Sequence, residues 1–397
     1  MKGEPSRALR LSEKYVSFFH VGFVGRAITS ISFVKEITMP RGTNYGTERI
    51  DRVDSVTGLT VRQITSFPLP SLHMHYETPT FTPDGTRMIL VTMRSLNRNA
   101  PWDLITCQSD GMNLVKLNSD AETGASNCCL TADGEYALYT EGATAYRSRL
   151  SNAEYEEIGH VDGATHHPYY RGARTPDGRW YFALVRRDSR LAVVRFDLKT
   201  GDTTIVVEAD GVNHPKANPG GFEIRYGLKY RDNQGVHQRT VYINADTLEE
   251  INVSIPEPTP STAHATWLGE SGNWVGTLKP PGRAVVLLDR HNDRIEPLAE
   301  GPYFWHCGAS QDGKWVVADT NWPDEGLWLI NTTTKHRELL CYAGASQGHP
   351  QTTHTHPNLN NDGTMAVFSS DRTGVTQVYT VRIPEEFRAQ FVDDVAD

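Results

Sequence analysis

The sequence contains few cysteines, and they are not arranged in pairs. The five cysteines among 397 residues are Cys107, Cys128, Cys129, Cys307 and Cys341. Their number is odd and no CxxC spacing occurs, which argues against a disulfide framework or a thiolate zinc site. We therefore expect reduced, partly buried thiols in a cytoplasmic protein.

Long apolar runs and basic runs are also missing. The most apolar amino-terminal stretch, residues 15–28, is interrupted by His20 and Arg26, so that it is too short to span a bilayer. It also starts too late for a signal peptide. The net charge of −9 and the lack of a basic stripe argue against a nucleic-acid partner. A small anionic substrate remains compatible, because local arginines and a metal ion outweigh distant charges.

Helical periodicity is almost absent after residue 50, and a repeated β-hairpin pattern takes its place. A polar-Asp-Gly turn followed by an apolar strand recurs about every 45 residues, a spacing typical of propeller blades. The clear copies begin at Thr82, Thr131, Thr175, Ser310 and Asn360, and the weaker copies at Asn218 and Gly269. Seven copies predict an all-β, seven-bladed β-propeller. Two unrelated β-domains are the alternative, which the even spacing disfavours.

The repeats set the expected domain limits. We expect an amino-terminal extension over residues 1–50, a propeller over residues 51–384 and a carboxy-terminal tail over residues 385–397. The last copy lacks an outer strand, and residues 57–65, TGLTVRQIT, can supply it. This segment should pair with the strand near Val378 and close the ring, which leaves no sheet edge exposed there.

A histidine motif precedes the seventh turn. Gln351 is followed by His354 and His356, and two residues at positions i and i+2 of an extended chain point to one side. His306 lies six residues before Asp312, just as His356 lies six residues before the next turn aspartate. His264 occupies a comparable place one blade earlier.

Imidazoles together with an amide oxygen suit a first-row divalent ion, and the amide oxygen favours Mn²⁺ over zinc. Fe²⁺, Co²⁺ and Ni²⁺ fit the same donors. The alternative is that His354 and His356 are ordinary loop residues, but the repeated placement of His306 favours a metal site on the channel.

Several ordered motifs resemble the oligogalacturonate lyases, a family of metal-dependent β-propeller enzymes. The motifs are Asp54–Arg62, His214-Pro215 with Asn218-Pro219, His237-Gln238-Arg239, His264-Ala-Thr-Trp267, His306, and Gln351-x-x-His354-x-His356. The resemblance spans residues 51–384. The chain departs from the family in the Ala-Thr pair after His264 and in the stretch before Arg239, which lacks a tryptophan.

The resemblance implies a role for each matched residue. His306, Gln351, His354 and His356 correspond to the metal ligands, His264 to the general base, and Arg239 to a contact with a substrate carboxylate. The implied reaction is β-elimination on a short oligogalacturonide. The base removes the C5 proton, a bound Mn²⁺ stabilises the carbanion, and a 4,5-unsaturated uronate is formed.

Other functions are compatible with the same fold. The chain could cleave a different uronate oligosaccharide, or it could be a non-catalytic propeller that binds proteins. A lactonase is disfavoured because such a site would need carboxylate-rich calcium ligands. Four further histidines could face the channel and contact substrate: His73, His75, His166 and His167.

Overall fold

The computed structural model describes residues 15–17, 33–35, 39–97, 99–232, 235–253, 262–321 and 323–391. Within these residues, seven sheets of four or five strands form a ring, which is the predicted seven-bladed β-propeller. We number the blades by the order of their inner strands along the chain. Most of the expected extension, residues 1–50, lies outside the described residues. Two short strands of this segment, Tyr15–Ser17 and Phe33–Lys35, pair with each other.

The strands of each blade are given from the channel outward. Blade 1 contains Ser71–His73, Arg87–Met93, Trp102–Gln108, Leu114–Lys116 and Asn44–Gly46. Blade 2 contains Ser126–Leu130, Tyr136–Glu141, Thr144–Arg149 and Tyr155–His160. Blade 3 contains the two inner pieces Ala164–Thr165 and Ala173–Arg174, then Trp180–Arg187, Arg190–Asp197 and Thr203–Ala209. Blade 4 contains the two inner pieces Gly211–Val212 and Lys216–Ala217, then Glu223–Asp232 and Gly235–Asn244.

The remaining three blades have continuous inner strands. Blade 5 contains Thr262–Trp267, Trp274–Leu278, Ala284–Asp289 and Arg294–Glu300. Blade 6 contains Phe304–Ala309, Trp315–Thr320, Leu327–Asn331 and Arg337–Cys341. Blade 7 contains Asn358–Leu359, Met365–Ser370, Gln377–Arg382, Thr60–Gln63 and Ile50–Val53. The helical elements are Gly269–Ser271 and Gln351–Thr353, both 3-10 turns, and the α-helix Glu385–Arg388.

The Asp-Gly turns join the first and second strands of the blades, as the repeat predicts. In blade 1 the Thr82 hydroxyl donates a hydrogen bond of 2.5 Å to Asp84, which also accepts from the Thr86 amide. The glycine that follows, Gly85, has φ +68°, a left-handed conformation that glycine adopts without a steric cost. Local sequence therefore determines these turns.

The ring is closed by a strand from the amino-terminal part of the chain. Thr60–Gln63 pairs antiparallel with Gln377–Arg382, and Val61 lies opposite Val381. Both valines are almost completely buried. The predicted closure is confirmed: blade 7 combines strands from the start and from the end of the propeller sequence.

The core lies between the faces of adjacent blades. The second strands are the most buried, as in Trp180–Arg187, where Phe182 has no exposed surface. Burial of each such side chain contributes about 1.5–3 kcal/mol. All five cysteines are buried as free thiols within this core. No helix among the described residues is long and apolar enough to cross a membrane.

Candidate metal centre

Three histidines from two blades converge at the channel. His306 lies on the inner strand of blade 6, while His354 and His356 precede the inner strand of blade 7. One ring nitrogen from each lies within 4.8 Å of the others. The structure thus brings together three of the four residues that the sequence indicated as metal ligands.

The segment that carries His354 and His356 is not a simple extended strand, contrary to our expectation. Gln351–Thr353 forms a 3-10 turn, His354 is extended, and His356 has φ +47°. A left-handed backbone is uncommon for a residue other than glycine and is often found at functional sites. The change of direction at His356 still leaves the two ring centroids 5.4 Å apart.

A buried carboxylate orients His306. The Nδ1–H of His306 donates to Asp319 at 2.8 Å, and the same carboxylate accepts from the His306 amide and from Thr355. Burial acts to raise the pKa of Asp319, but the His306 ring and these hydrogen bonds lower it below its usual value. Asp319 is therefore ionised, and it leaves the Nε2 lone pair of His306 available for a metal ion.

Backbone contacts and burial prepare the other two rings. The Nε2–H of His354 donates to the Gly348 carbonyl at 2.9 Å, which leaves Nδ1 as the electron-pair donor. Burial, and then the nearby His306, lower the pKa of His354 and lower that of His356 further. Both imidazoles are thus neutral near pH 7, the form that binds metals.

Gln351 begins the 3-10 turn and its side chain is exposed. Gln351 lies three residues before His354 in the sequence. Its role as the fourth ligand stays a prediction.

His264 lies beside this cluster, on the inner strand of blade 5. Its ring centroid is 4.4 Å from that of His306, and its Nδ1–H donates to the Trp305 carbonyl at 2.8 Å. Burial, and then His306, lower the pKa of His264 to about 4. The ring is therefore neutral near pH 7, with Nε2 available to accept a proton.

Arg239 lies on the third strand of blade 4. Its side chain is exposed, and both terminal nitrogens contact the carboxylate of Glu250, one of them at 3.1 Å. Among the described residues, its ion pair is with Glu250 and not with a residue of the histidine cluster. The role of Arg239 as a substrate contact stays a prediction.

Sequence reasoning missed Tyr76, which follows the predicted channel residue His75. The Tyr76 ring lies 5.5 Å from His306, 5.9 Å from His356 and 6.1 Å from His264, measured between centroids. The ring of His75, one of the further channel histidines, lies against that of His356, with the centroids 4.0 Å apart and the planes tilted by 42°. These residues lie in an interruption of the blade 1 inner strand, outside the repeated pattern.

A buried ionic cluster adjoins the histidines. The Glu77 side chain, only 5% exposed, accepts from Arg171 at 3.1 Å, from His214 at 3.2 Å and from Lys216. Burial acts to raise the pKa of Glu77, but Lys216, His214 and Arg171 together hold it well below its usual value. We refer to Glu77, Arg171, His214 and Lys216 as the Glu77 cluster. It ties blades 1, 3 and 4 together across the channel.

The other channel histidines have separate environments. His73 is buried, and its Nε2 lies 3.2 Å from the Thr355 carbonyl. Burial lowers its pKa to about 4. His166 and His167 precede the second inner piece of blade 3, and burial lowers the pKa of each.

Fold and site together define a seven-bladed β-propeller whose channel holds a three-histidine cluster suited to a divalent metal. No family model matches the sequence. The chain is 28% identical over 215 residues to the oligogalacturonate lyase of Dickeya dadantii (strain 3937), an alignment that covers 49% of this chain and 55% of that protein. The chain thus spans about half the length of this curated relative.

Solved structures show the same fold. An oligogalacturonate lyase in complex with manganese has a TM-score of 0.70 at 19% identity, covering 88% of this chain and all of the other. The oligogalacturonate lyase of Vibrio parahaemolyticus has a TM-score of 0.69 at 17% identity, covering 87% of this chain and all of the other. The resemblance to oligogalacturonate lyases that the motifs indicated is confirmed.

Proposed function

We propose that this chain is a metal-dependent lyase that cleaves short oligogalacturonides by β-elimination. The observation that carries the proposal is the grouping of three imidazoles, whose ring nitrogens lie within 4.8 Å of one another, with a fourth, His264, that has its own hydrogen-bond partner. A ligand set and a separate base are the two parts that this reaction requires. The free, buried thiols support a cytoplasmic location.

The metal is proposed to be Mn²⁺, held by His306, His354 and His356, with Gln351 as a fourth ligand. The solved structure of an oligogalacturonate lyase in complex with manganese supports this choice. A bound divalent ion supplies Lewis acidity toward the carboxylate of the sugar that is cleaved. Asp319 contributes by fixing the tautomer and the orientation of His306.

His264 is proposed to remove the C5 proton at its Nε2 atom. The Trp305 carbonyl holds the proton on Nδ1, so that the reactive nitrogen keeps its lone pair. Burial keeps the ring neutral before the reaction. This arrangement meets the requirement that a general base be unprotonated at the working pH.

The proposed role of Arg239 requires its ion pair with Glu250 to open. Because this pair is exposed, its disruption costs about 0–1 kcal/mol. The guanidinium could then bind a carboxylate of the substrate in a bidentate manner.

The experiment is an ultraviolet assay for unsaturated product with a panel of uronate oligosaccharides. We expect absorbance to rise with digalacturonate and trigalacturonate when Mn²⁺ is supplied, and to stay flat after chelation. If absorbance rises only with a different uronate oligosaccharide, that oligosaccharide is the substrate and the proposed one is wrong. No response to any member, from protein that binds Mn²⁺, would contradict the lyase proposal.

A further inference from the structure

The inner strands of three blades are interrupted at the channel, and the interruptions carry charged side chains. Glu77 lies between the inner strand Ser71–His73 of blade 1 and the isolated bridge that Phe81 forms with Met88. Arg171 lies between the two inner pieces of blade 3, and Lys216 starts the second inner piece of blade 4. Blades 5 and 6, which carry His264 and His306, have continuous inner strands. The interrupted blades therefore build a part of the channel that differs from the histidine cluster.

We propose that Arg171, Lys216 and Tyr169 bind the carboxylate of a second uronate residue, next to the residue that is cleaved. This inference rests on the proposed function, and it names a substrate contact that the sequence motifs did not indicate. It implies that the enzyme recognises two adjacent carboxylates, one at the metal centre and one at this subsite.

The Glu77 cluster carries one more positive charge than negative charge. Arg171 and Lys216 carry two positive charges, and Glu77 carries one negative charge. His214 adds none near pH 7, because burial, and then Arg171, lower its pKa to about 3. A single carboxylate would balance the cluster, and buried charges are stable chiefly when they are paired.

Two hydrogen-bond donors in this region also lack acceptors. The Nε of Arg171 and the hydroxyl of Tyr169 are both buried without a hydrogen-bond partner among the described residues. The Arg171 guanidinium lies 4.7 Å above the Tyr169 ring, so both donors belong to one region. A buried donor without an acceptor costs about 1–3 kcal/mol, which a bound carboxylate or sugar hydroxyl would offset.

Direct contacts link this subsite to the metal centre. Arg171 Nη1 lies 2.5 Å from His75 Nδ1, and the centroid of the His75 ring lies 4.0 Å from that of His356. On the far side, Tyr169 is stacked on His214 at 4.5 Å. The proposed subsite therefore borders the histidine cluster through a single intervening side chain, that of His75.

Binding of digalacturonate, compared with its ester, tests the subsite. In digalacturonate, the reducing residue carries the glycosidic bond on its O4 and loses the C5 proton, so its carboxylate belongs at the metal centre. The carboxylate of the non-reducing residue is the one expected at the subsite, and the ester is therefore methylated on that residue. Calorimetry with Mn²⁺-loaded His264→Ala protein measures affinity without turnover. We expect Arg171→Gln to weaken digalacturonate binding about tenfold or more and the ester about twofold or less. Arg190→Gln, on an exposed arginine of blade 3, is the matched control and should change neither.

A second variant guards against misfolding. Tyr169→Phe removes only an unpartnered hydroxyl, so it should leave the thermal midpoint unchanged or raised while weakening digalacturonate binding about threefold or more. Equal weakening of both ligands by Arg171→Gln, together with no effect of Tyr169→Phe, overturns the subsite. Failure of both ligands to bind the parent protein overturns it as well.

The product assay separates this inference from the proposed function. If the wild-type protein forms no unsaturated product but still shows the Arg171-dependent preference for digalacturonate, the lyase proposal fails and the subsite stands. If product forms and Arg171→Gln keeps the full preference, the subsite fails and the lyase proposal stands.

Discussion

At the scale of single residues, the histidines of the channel differ in the partner that orients each ring. His306 is held by Asp319, His354 by the Gly348 carbonyl, and His264 by the Trp305 carbonyl. The first two therefore present a nitrogen to the metal centre, while His264 presents one beside it. In the proposed function, this difference distinguishes the metal ligands from the general base.

Metal content should distinguish these roles. We expect His264→Ala to lose turnover by at least about 100-fold, since general-base catalysis contributes 10²–10⁴-fold, and to keep its Mn²⁺. His354→Ala should lose both, because one of the donors is removed. Elemental analysis of the purified variants, beside their rates, checks this. A metal-free His264→Ala protein would make His264 a ligand instead.

The pH dependence of turnover should reflect the buried base. Because the pKa of His264 is lowered to about 4, the base stays unprotonated well below pH 6.5. Activity should therefore hold as the pH falls from 7 to 5.5 and be lost toward pH 4, rather than near neutrality as an ordinary histidine would predict. The check is kcat/KM against pH at saturating Mn²⁺. A half-maximum near 6.5 would argue against a buried base.

The site residues show which inferences a sequence supports. The placement of His306 and His356 six residues before a turn aspartate could be read from the repeat, and the rings do meet. The left-handed backbone at His356 and the pairing of Arg239 with Glu250 depend on tertiary contacts. Tyr76 and Arg171 lie in strand interruptions, where no repeat signal marks them.

At the scale of elements, the Asp-Gly turns were the most predictable features, because their interactions are local. Hydroxyl, carboxylate and glycine all lie within a few residues of one another, as in Thr82, Asp84 and Gly85. The weaker turns at Asn218 and Gly269 adopt the same place between strands, although they lack the aspartate. The pairing of the first strand with the second in a blade therefore followed from the turns.

Two glycine substitutions should separate backbone conformation from packing. Gly363 has φ +67°, and a Cβ there would lie 2.5 Å from the Trp315 ring. Gly142 has a similar φ of +63°, with no atom within 4 Å of its Cβ position. We expect Gly142→Ala to lower the free energy of unfolding by about 1 kcal/mol, and Gly363→Ala by about 1–3 kcal/mol more. Urea unfolding measures both, and equal losses would contradict the packing argument.

At the scale of the whole molecule, the fold depends on a contact between distant parts of the chain. The strand Thr60–Gln63 completes blade 7. Its pairing could be inferred because the last repeat is one strand short. The attachment of Asn44–Gly46 to blade 1 carried no such signal, since it adds a strand beyond the regular four.

A charge placed in the closing strand should weaken the whole ring. Val61 is 2% exposed, whereas Val56 in the preceding turn is 65% exposed. Val61→Asp should lower the free energy of unfolding by about 3 kcal/mol or more, because it buries an unpaired charge. Val56→Asp should change it by about 0.5 kcal/mol or less. Chemical denaturation measures the free energy of unfolding of both variants. Similar losses would contradict the expectation that the closing strand stabilises the ring.

The central proposal for the whole molecule is that a single metal ion at the three-histidine cluster supports lyase activity. The most direct test is to titrate Mn²⁺ into metal-stripped protein while bound metal and unsaturated product from digalacturonate are both measured. We predict that activity rises in proportion to occupancy and saturates at one ion per chain. Full activity in the metal-free protein would contradict the account.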